Sequence, residues 1–223
     1  MKRLSTIITV IRDNALLWWT ITLGGVSLYY SLLLISAMVR FGQLPNYINI
    51  YDWWGNVIRI LQSTPSMHDS LSIIKDEWLL EVGYMNYDFG MGISEWSLFL
   101  VPIKVLGVAA LGALVATNFL LLRRRKQCQP FSSSLAAGAS GTATGLGAGL
   151  VSLTSVSLSW VVCCSTPNWV VGLAMLGLGV STSLWLEPLG TWINALGFIL
   201  LLSACFWVAG RIPRPENDWE KIR

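Results

Sequence analysis

The feature that most constrains this chain is an apolar run from Ala15 to Val39, entered from Lys2, Arg3 and Arg12 and closed by Arg40. As a helix it is long enough to cross a hydrocarbon core about 30 Å thick. It exceeds the apolar stretch of a secretory signal, and Ser36-Ala37-Met38 with Arg40 close behind makes a poor cleavage site, so the run is expected to be a retained membrane span. Further apolar stretches follow. Trp96–Leu122 contains a single charge, Lys104, and stops at Arg123-Arg124-Arg125-Lys126. Leu135–Val162 is rich in Gly, Ala, Ser and Thr; Trp169–Leu186 and Leu189–Ala209 complete the set, the last ending at Arg211. The expected fold is an all-α integral membrane protein with five hydrophobic helical segments, four or five of them full spans, and an extracytoplasmic amphipathic-helix cap.

Composition supports the lipid reading. Charged residues make up 12% of the 223 residues and hydrophobic ones 54%, whereas a soluble domain carries about a quarter charged residues. The net charge is only +3, and its cations cluster beside apolar runs, which marks topology and not a nucleic-acid footprint. Twelve Trp suit a chain with long borders between lipid and water, where the ring is buried and its N–H stays wet.

The bias of Lys and Arg orients the chain, because short cytoplasmic loops retain them. Lys2, Arg3 and Arg12 place the N-terminus inside, and Arg123–Lys126 place the end of the second span inside. The segment between them sets Asp52, Asp69, Asp76, Glu77, Glu81, Asp88 and Glu95 against Arg59 and Lys75 and is expected outside. The chain then divides into an N-terminal span (1–40), an extracytoplasmic cap (41–95), a second span with a basic end (96–126), a region of small-residue helices (127–210) and a polar tail (211–223). In the small-residue region Pro167 predicts a helix break, and Arg211, Arg214, Lys221 and Arg223 draw the tail inside. Three spans after an inside cluster would leave that tail outside, so the number of crossings stays at four or five.

Within the cap, Thr64-Pro65 reads as a helix start. Leu71, Ile74, Trp78 and Val82 then recur at helical spacing opposite Asp69, Asp76 and Glu77. The expectation is one amphipathic helix lying on the membrane surface or docked on a partner.

The chemistry is sparse. The sequence has no phosphate loop, dinucleotide fingerprint, His-Glu metal helix or catalytic triad, and no enzymatic activity is expected. His68 is the single His, which argues against a haem subunit, since haem iron generally takes an axial His. Only Lys104 and Glu187 approach membrane depth, which disfavours an ion-coupled pump. The outstanding motif is Cys163-Cys164-Ser165-Thr166-Pro167. Adjacent thiols at a helix break can present two thiolates to a soft ion such as Cu(I) or Hg(II); the plainer reading is two small apolar core residues. Met67 and His68, near Asp69, Met85, Asp88 and Met91, form a second, weaker donor group whose thioether and imidazole suit copper; the plainer reading has the Met residues packing the cap and His68 in water.

The stretch Val162-Cys163-Cys164-Ser165-Thr166-Pro167, then Leu176-Gly177, then Leu186-Glu187-Pro188 before a final apolar helix resembles the mercuric-ion transport protein family. The resemblance covers about 145–210 and implies Cys163 and Cys164 as soft-metal ligands. The chain departs from that family in its two additional N-terminal spans, its outer cap, and its lack of a second, cytoplasmic Cys pair to receive the ion.

Small residues dominate from Ala136 to Gly149 and return at Gly172, Gly177 and Gly179. In lipid they let helices approach closely, either within this chain or against another subunit. Two functions follow. One is a non-catalytic accessory or assembly subunit of a larger inner-membrane complex, of the respiratory or metal-dependent oxidase or monooxygenase type. The other is a copper or mercury carrier or delivery protein using Cys163 and Cys164. Expected partners are the lipid bilayer and other membrane subunits, with no nucleic acid; the one cofactor suggested is a soft metal ion.

Overall fold

The computed structural model describes residues 2–88, 90, 92–128, 144–152, 155, 158–160 and 189–210. Helix α1 (Lys2–Asp13) turns at Asn14 into the long helix α2 (Ala15–Phe41). Then come β1 (Tyr47–Ile50), α3 (Trp53–Ser63), α4 (Met67–Ile74), β2 (Leu80–Asn86), β3 (Ile93–Leu100) and α5 (Pro102–Cys128). A helical stretch α6 (144–152), strand β4 (Leu158–Trp160) and α7 (Gly190–Ala209) complete the described elements.

Among the described residues three helices are long and apolar enough to cross a membrane: Ala15–Phe41, Pro102–Arg124 and Trp192–Ala209. The chain is thus a membrane protein in its first, second and last apolar runs. The third run, expected over Leu135–Val162, is helical at 144–152 and strand at Leu158–Trp160; the fourth, Trp169–Leu186, lies outside the described residues.

The all-α expectation is corrected. The segment between the first two spans carries most of a four-stranded antiparallel sheet, ordered β1-β2-β3-β4. Of the four residues read as one amphipathic helix, Leu71 and Ile74 lie in α4, Trp78 in the following loop and Val82 in β2. Helical spacing there was coincidental. The physical period is two: Val82 and Tyr84 of β2 share a face with Trp96 and Leu98 of β3, as alternation along strands requires. The second run is likewise divided, since Trp96–Leu100 is strand and the helix begins at Pro102, a residue whose missing N–H costs nothing in the first turn.

Local signals set the other boundaries. Gly42 ends α2 in the left-handed region, φ 68°, donating to the Met38 carbonyl, the glycine-terminated form of a helix end. Asp52 accepts from the Gly55 N–H at the start of α3. Ser66, not Thr64, caps α4, accepting from the Asp69 N–H. Gly90 and Gly92, at φ 81° and 93°, make the reversal from β2 to β3 without a Cβ penalty.

Helix α5 is the axis of the bundle, with α2 and α7 packed on it. On the α2 side the Trp18 Nε1–H donates to Thr117 Oγ1 at 3.0 Å, and a Cβ on Gly112 would lie 3.1 Å from the Thr22 carbonyl oxygen. These antiparallel contacts place Pro102 level with about Leu33. Residues Leu33–Phe41 of α2 therefore project beyond α5 by about 13 Å at 1.5 Å per residue. The sheet packs on that projection, where Leu33 and Ala37 bury Trp96 and Leu98, with Tyr30, Leu34, Met38, Phe41 and Tyr84 around them. On the α7 side Asn118, itself buried, donates from Nδ2 to the Leu114 and Leu201 carbonyls. At the basic end α1 lays Val10 into Leu120, Leu121, Cys205, Val208 and Ala209.

Candidate functional site

The densest polar chemistry among the described residues sits on the sheet face opposite α2. The pairings Tyr47↔Gly83↔Ser97 and Asn49↔Glu81↔Phe99 put alternate residues of three strands on that face. Glu81, only 8% exposed, accepts from Tyr47 Oη–H at 2.6 Å and from Tyr51 Oη–H at 2.5 Å, one on each carboxylate oxygen. Tyr47 Oη lies 3.0 Å from Ser94 Oγ and 2.5 Å from Ser97 Oγ, and the two serines are 2.8 Å apart. Tyr51 continues into an aromatic cluster, edge-on to Trp78, which packs on Phe99 with ring centroids 4.4 Å apart.

Gly83 makes the cluster reachable. A Cβ there would fall 2.4 Å from the Trp96 carbonyl oxygen, 2.8 Å from Tyr47 Oη and 2.9 Å from Ser97 Oγ. Because β2 offers no side chain at that point, the Tyr47 ring crosses it and reaches the far strand. The site is therefore built by one acidic side chain, two phenols, two hydroxyls and an absent methyl. Chemically it is a buried carboxylate satisfied by neutral donors, and it clamps β1 to the sheet.

Burial, then the hydrogen bond to Glu81, pushes the Tyr51 phenol from its ordinary 10.0 up to about 12; the same two causes raise Tyr47. A raised folded-state value means that the fold favours the neutral, donating phenol. Its contribution is complete below pH 10 and disappears as pH rises towards 12. In an alkaline titration followed by tyrosinate absorbance, these phenols should ionise later in the folded chain than in the unfolded chain. Glu81→Gln should move Tyr51 only part of the way back, since burial, the larger cause, remains.

Of the candidate metal ligands singled out from the sequence, the described ones do not meet at this site. Met67 is 72% exposed, and His68 stands in water with Nδ1 3.6 Å from Asp69 Oδ1. Met85 is partly buried in β2 beside Gly92. Among the described residues no three His, Cys, Asp or Glu side chains converge on a point that a metal could occupy. Cys163, Cys164 and Met91 lie outside the described residues. Cys205 is a free thiol buried in the α1–α5–α7 core.

Sequence reasoning missed Tyr47, Tyr51, Ser94 and Ser97 altogether and counted Glu81 only as one of several outer acids. The available signal was Tyr47-x-Asn49-x-Tyr51 facing Glu81-x-Gly83, two alternating polar faces with a glycine at the crossing. At the basic end of the bundle a small cleft is lined by Asp13, Asn14, Leu120, Arg123 and Arg124. Its ion pair, Arg124 Nη1 to Asp13 Oδ2 at 3.7 Å, fastens the α1–α2 turn to the end of α5. No protein-family model, curated protein or solved structure matches this chain.

Proposed function

We propose that the protein is a non-catalytic accessory or assembly subunit of a larger inner-membrane complex, with its N-terminus cytoplasmic and residues 41–95 extracytoplasmic. The observation that carries this reading is the outer edge of β1, which pairs with no other strand among the described residues and is joined to the sheet by the Glu81 clamp. The Tyr51 N–H donates to the Leu79 carbonyl in register with the β1–β2 pairing. The alternation of an antiparallel ladder then turns Asn49 towards Glu81 and leaves the backbone groups of Ile48 and Ile50 facing away from β2. Their side chains are 66% and 80% exposed. An unpaired apolar edge is a template for an added strand from another chain, and a sheet whose polar cluster orders that edge suits docking better than turnover. The charge bias of the loops supports the orientation.

The test is purification in mild detergent, with mass spectrometry of what copurifies and metal analysis of the same fraction. Stoichiometric larger subunits are expected. Ile48→Pro deletes an N–H that points out of the sheet and leaves the bonded β1–β2 pairs intact; it should release those subunits without unfolding the lobe. The second reading, a soft-metal carrier, rests on the Cys163-Cys164 pair and its family resemblance. A lone chain holding about one copper or mercury ion, lost in Cys163→Ser and Cys164→Ser, would establish it and remove the subunit reading; that stoichiometry follows from two thiolates forming one site for a soft ion.

A further inference from the structure

We infer that α3 is an interfacial anchor, lying along the lipid headgroups beside the outer end of α5 with Trp54, Ile58 and Leu61 in the bilayer. The inference rests on the membrane placement of the three apolar helices and is independent of the subunit reading.

The first support is composition around the helix axis. Trp54, Ile58 and Leu61 recur at i, i+4 and i+7 and form one exposed stripe, flanked by Gln62, while Arg59 and Ser63 lie on the other side. Trp53, Val57 and Ile60 are half-buried towards the body of the protein, and no residue of α3 is fully buried. The helix thus carries an apolar stripe that no described residue covers. Beyond Thr64-Pro65-Ser66, α4 repeats the pattern, with Met67 and Leu71 exposed and His68, Asp69 and Ser72 as its polar side.

The second support is level, which selects lipid as the occupant. Pro102–Arg124 holds 23 residues, about 34 Å of helix against a core of about 30 Å, so Pro102 stands at the border of the hydrocarbon. Leu100 lies two residues before it; the Leu79 N–H bonds the Leu100 carbonyl, and the Tyr51 N–H bonds the Leu79 carbonyl. Tyr51 is therefore at the height of that border, displaced sideways by two strand spacings, about 10 Å. Helix α3 begins two residues further on, capped by Asp52. Tyr51, Trp53, Trp54 and Trp78 gather at this one level, where amphipathic rings sit between hydrocarbon and water. Arg59, on the polar side, is placed to meet lipid phosphate.

The test uses the full chain in nanodiscs of phosphatidylcholine and phosphatidylglycerol. Single cysteines, Ile58→Cys on the stripe and Arg59→Cys on the polar side, are introduced after Cys128, Cys163, Cys164 and Cys205 are replaced by Ser, and each is labelled with an environment-sensitive fluorophore. The label at 58 should emit to the blue of the label at 59, be quenched by lipids carrying a nitroxide near the headgroup and resist aqueous iodide; the label at 59 should respond to iodide. Iodide quenching at 58 equal to that at 59 would overturn the anchor. Protection from both quenchers, meaning contact with a second copy of the chain, would overturn it too. Should the cysteine-free chain fail to fold, brominated-lipid quenching of the native chain against Trp54→Phe reads the same contact: the Trp54 contribution should be lost to brominated lipid, and its persistence would refute the assignment.

Discussion

Replacing Glu81 by Leu should free β1 while the bundle stays folded. Two phenol hydroxyls lose their common acceptor, and hydrogen bonds to a charged group contribute roughly 1.5–3 kcal/mol each, with a further cost when donors are left unsatisfied in a buried place. A loss of about 3 kcal/mol exceeds what a four-residue edge strand can bear, because isolated β pairing is marginal. Amide exchange followed by mass spectrometry should show Tyr47–Ile50 becoming unprotected, with α5 and α7 unchanged. Glu81→Gln keeps an acceptor for one phenol and should fall between Leu and the native residue. Tyr47→Phe and Tyr51→Phe should be non-additive, since both tyrosines share one carboxylate. Unaltered exchange of β1 in Glu81→Leu would show that the ladder alone holds the strand and that the cluster does not act as a clamp.

The reason this clamp escaped sequence reasoning is separation. Tyr47 is 34 residues from Glu81 and 50 from Ser97, and nothing local couples them. The spans were legible for the opposite reason. Lipid demands a contiguous apolar run whose backbone bonds close within the segment, so Ala15–Phe41 and Gly190–Ala209 were visible at nearly their observed limits. The border of the middle span was not. Trp96, Leu98 and Phe99 are all buried, the first two against α2 and Phe99 under Trp78 on the opposite face. A strand covered on both sides reads as an apolar run indistinguishable from the start of a helix. Helix α1 is hidden in the sequence because its three basic residues act as topology signals, although Ile7, Val10 and Ile11 mark a buried side at helical spacing. The vicinal cysteines remain a reading of the sequence, carried by motif alone.

Gly197→Ile should be the most damaging change within the bundle, and its neighbours explain why. Helix α6 crosses α7 at Gly147 and Gly197. A Cβ on Gly197 would sit 2.7 Å from Val151 Cγ2 and 2.9 Å from the Gly147 carbonyl oxygen; one on Gly147 would sit 2.8 Å from the Gly197 carbonyl oxygen. Each glycine faces the other's backbone carbonyl, so a swing of the Val151 side chain alone would not relieve the clash. The two helices must separate, opening the core of Leu111, Val151 and Leu201 and pulling the Leu201 carbonyl away from Asn118 Nδ2, 3.3 Å distant. Overpacking of a closed core costs about 3 kcal/mol at the upper end of its usual range, and in lipid close packing is itself a main source of helix association. Thermal unfolding in detergent should show a large drop for Gly197→Ile and a smaller one for Gly197→Ala. The small-residue run itself supplies the control. A Cβ added to Gly145 or Gly149 would meet nothing within 4 Å among the described residues, so Gly149→Ala should be neutral or stabilising by roughly 1 kcal/mol through helix propensity alone. In the sequence the three glycines are alike; only the crossing separates Gly147 from the other two. Equal behaviour of Gly147→Ala and Gly149→Ala would therefore refute the crossing itself, and with it the seating of α6 against the bundle.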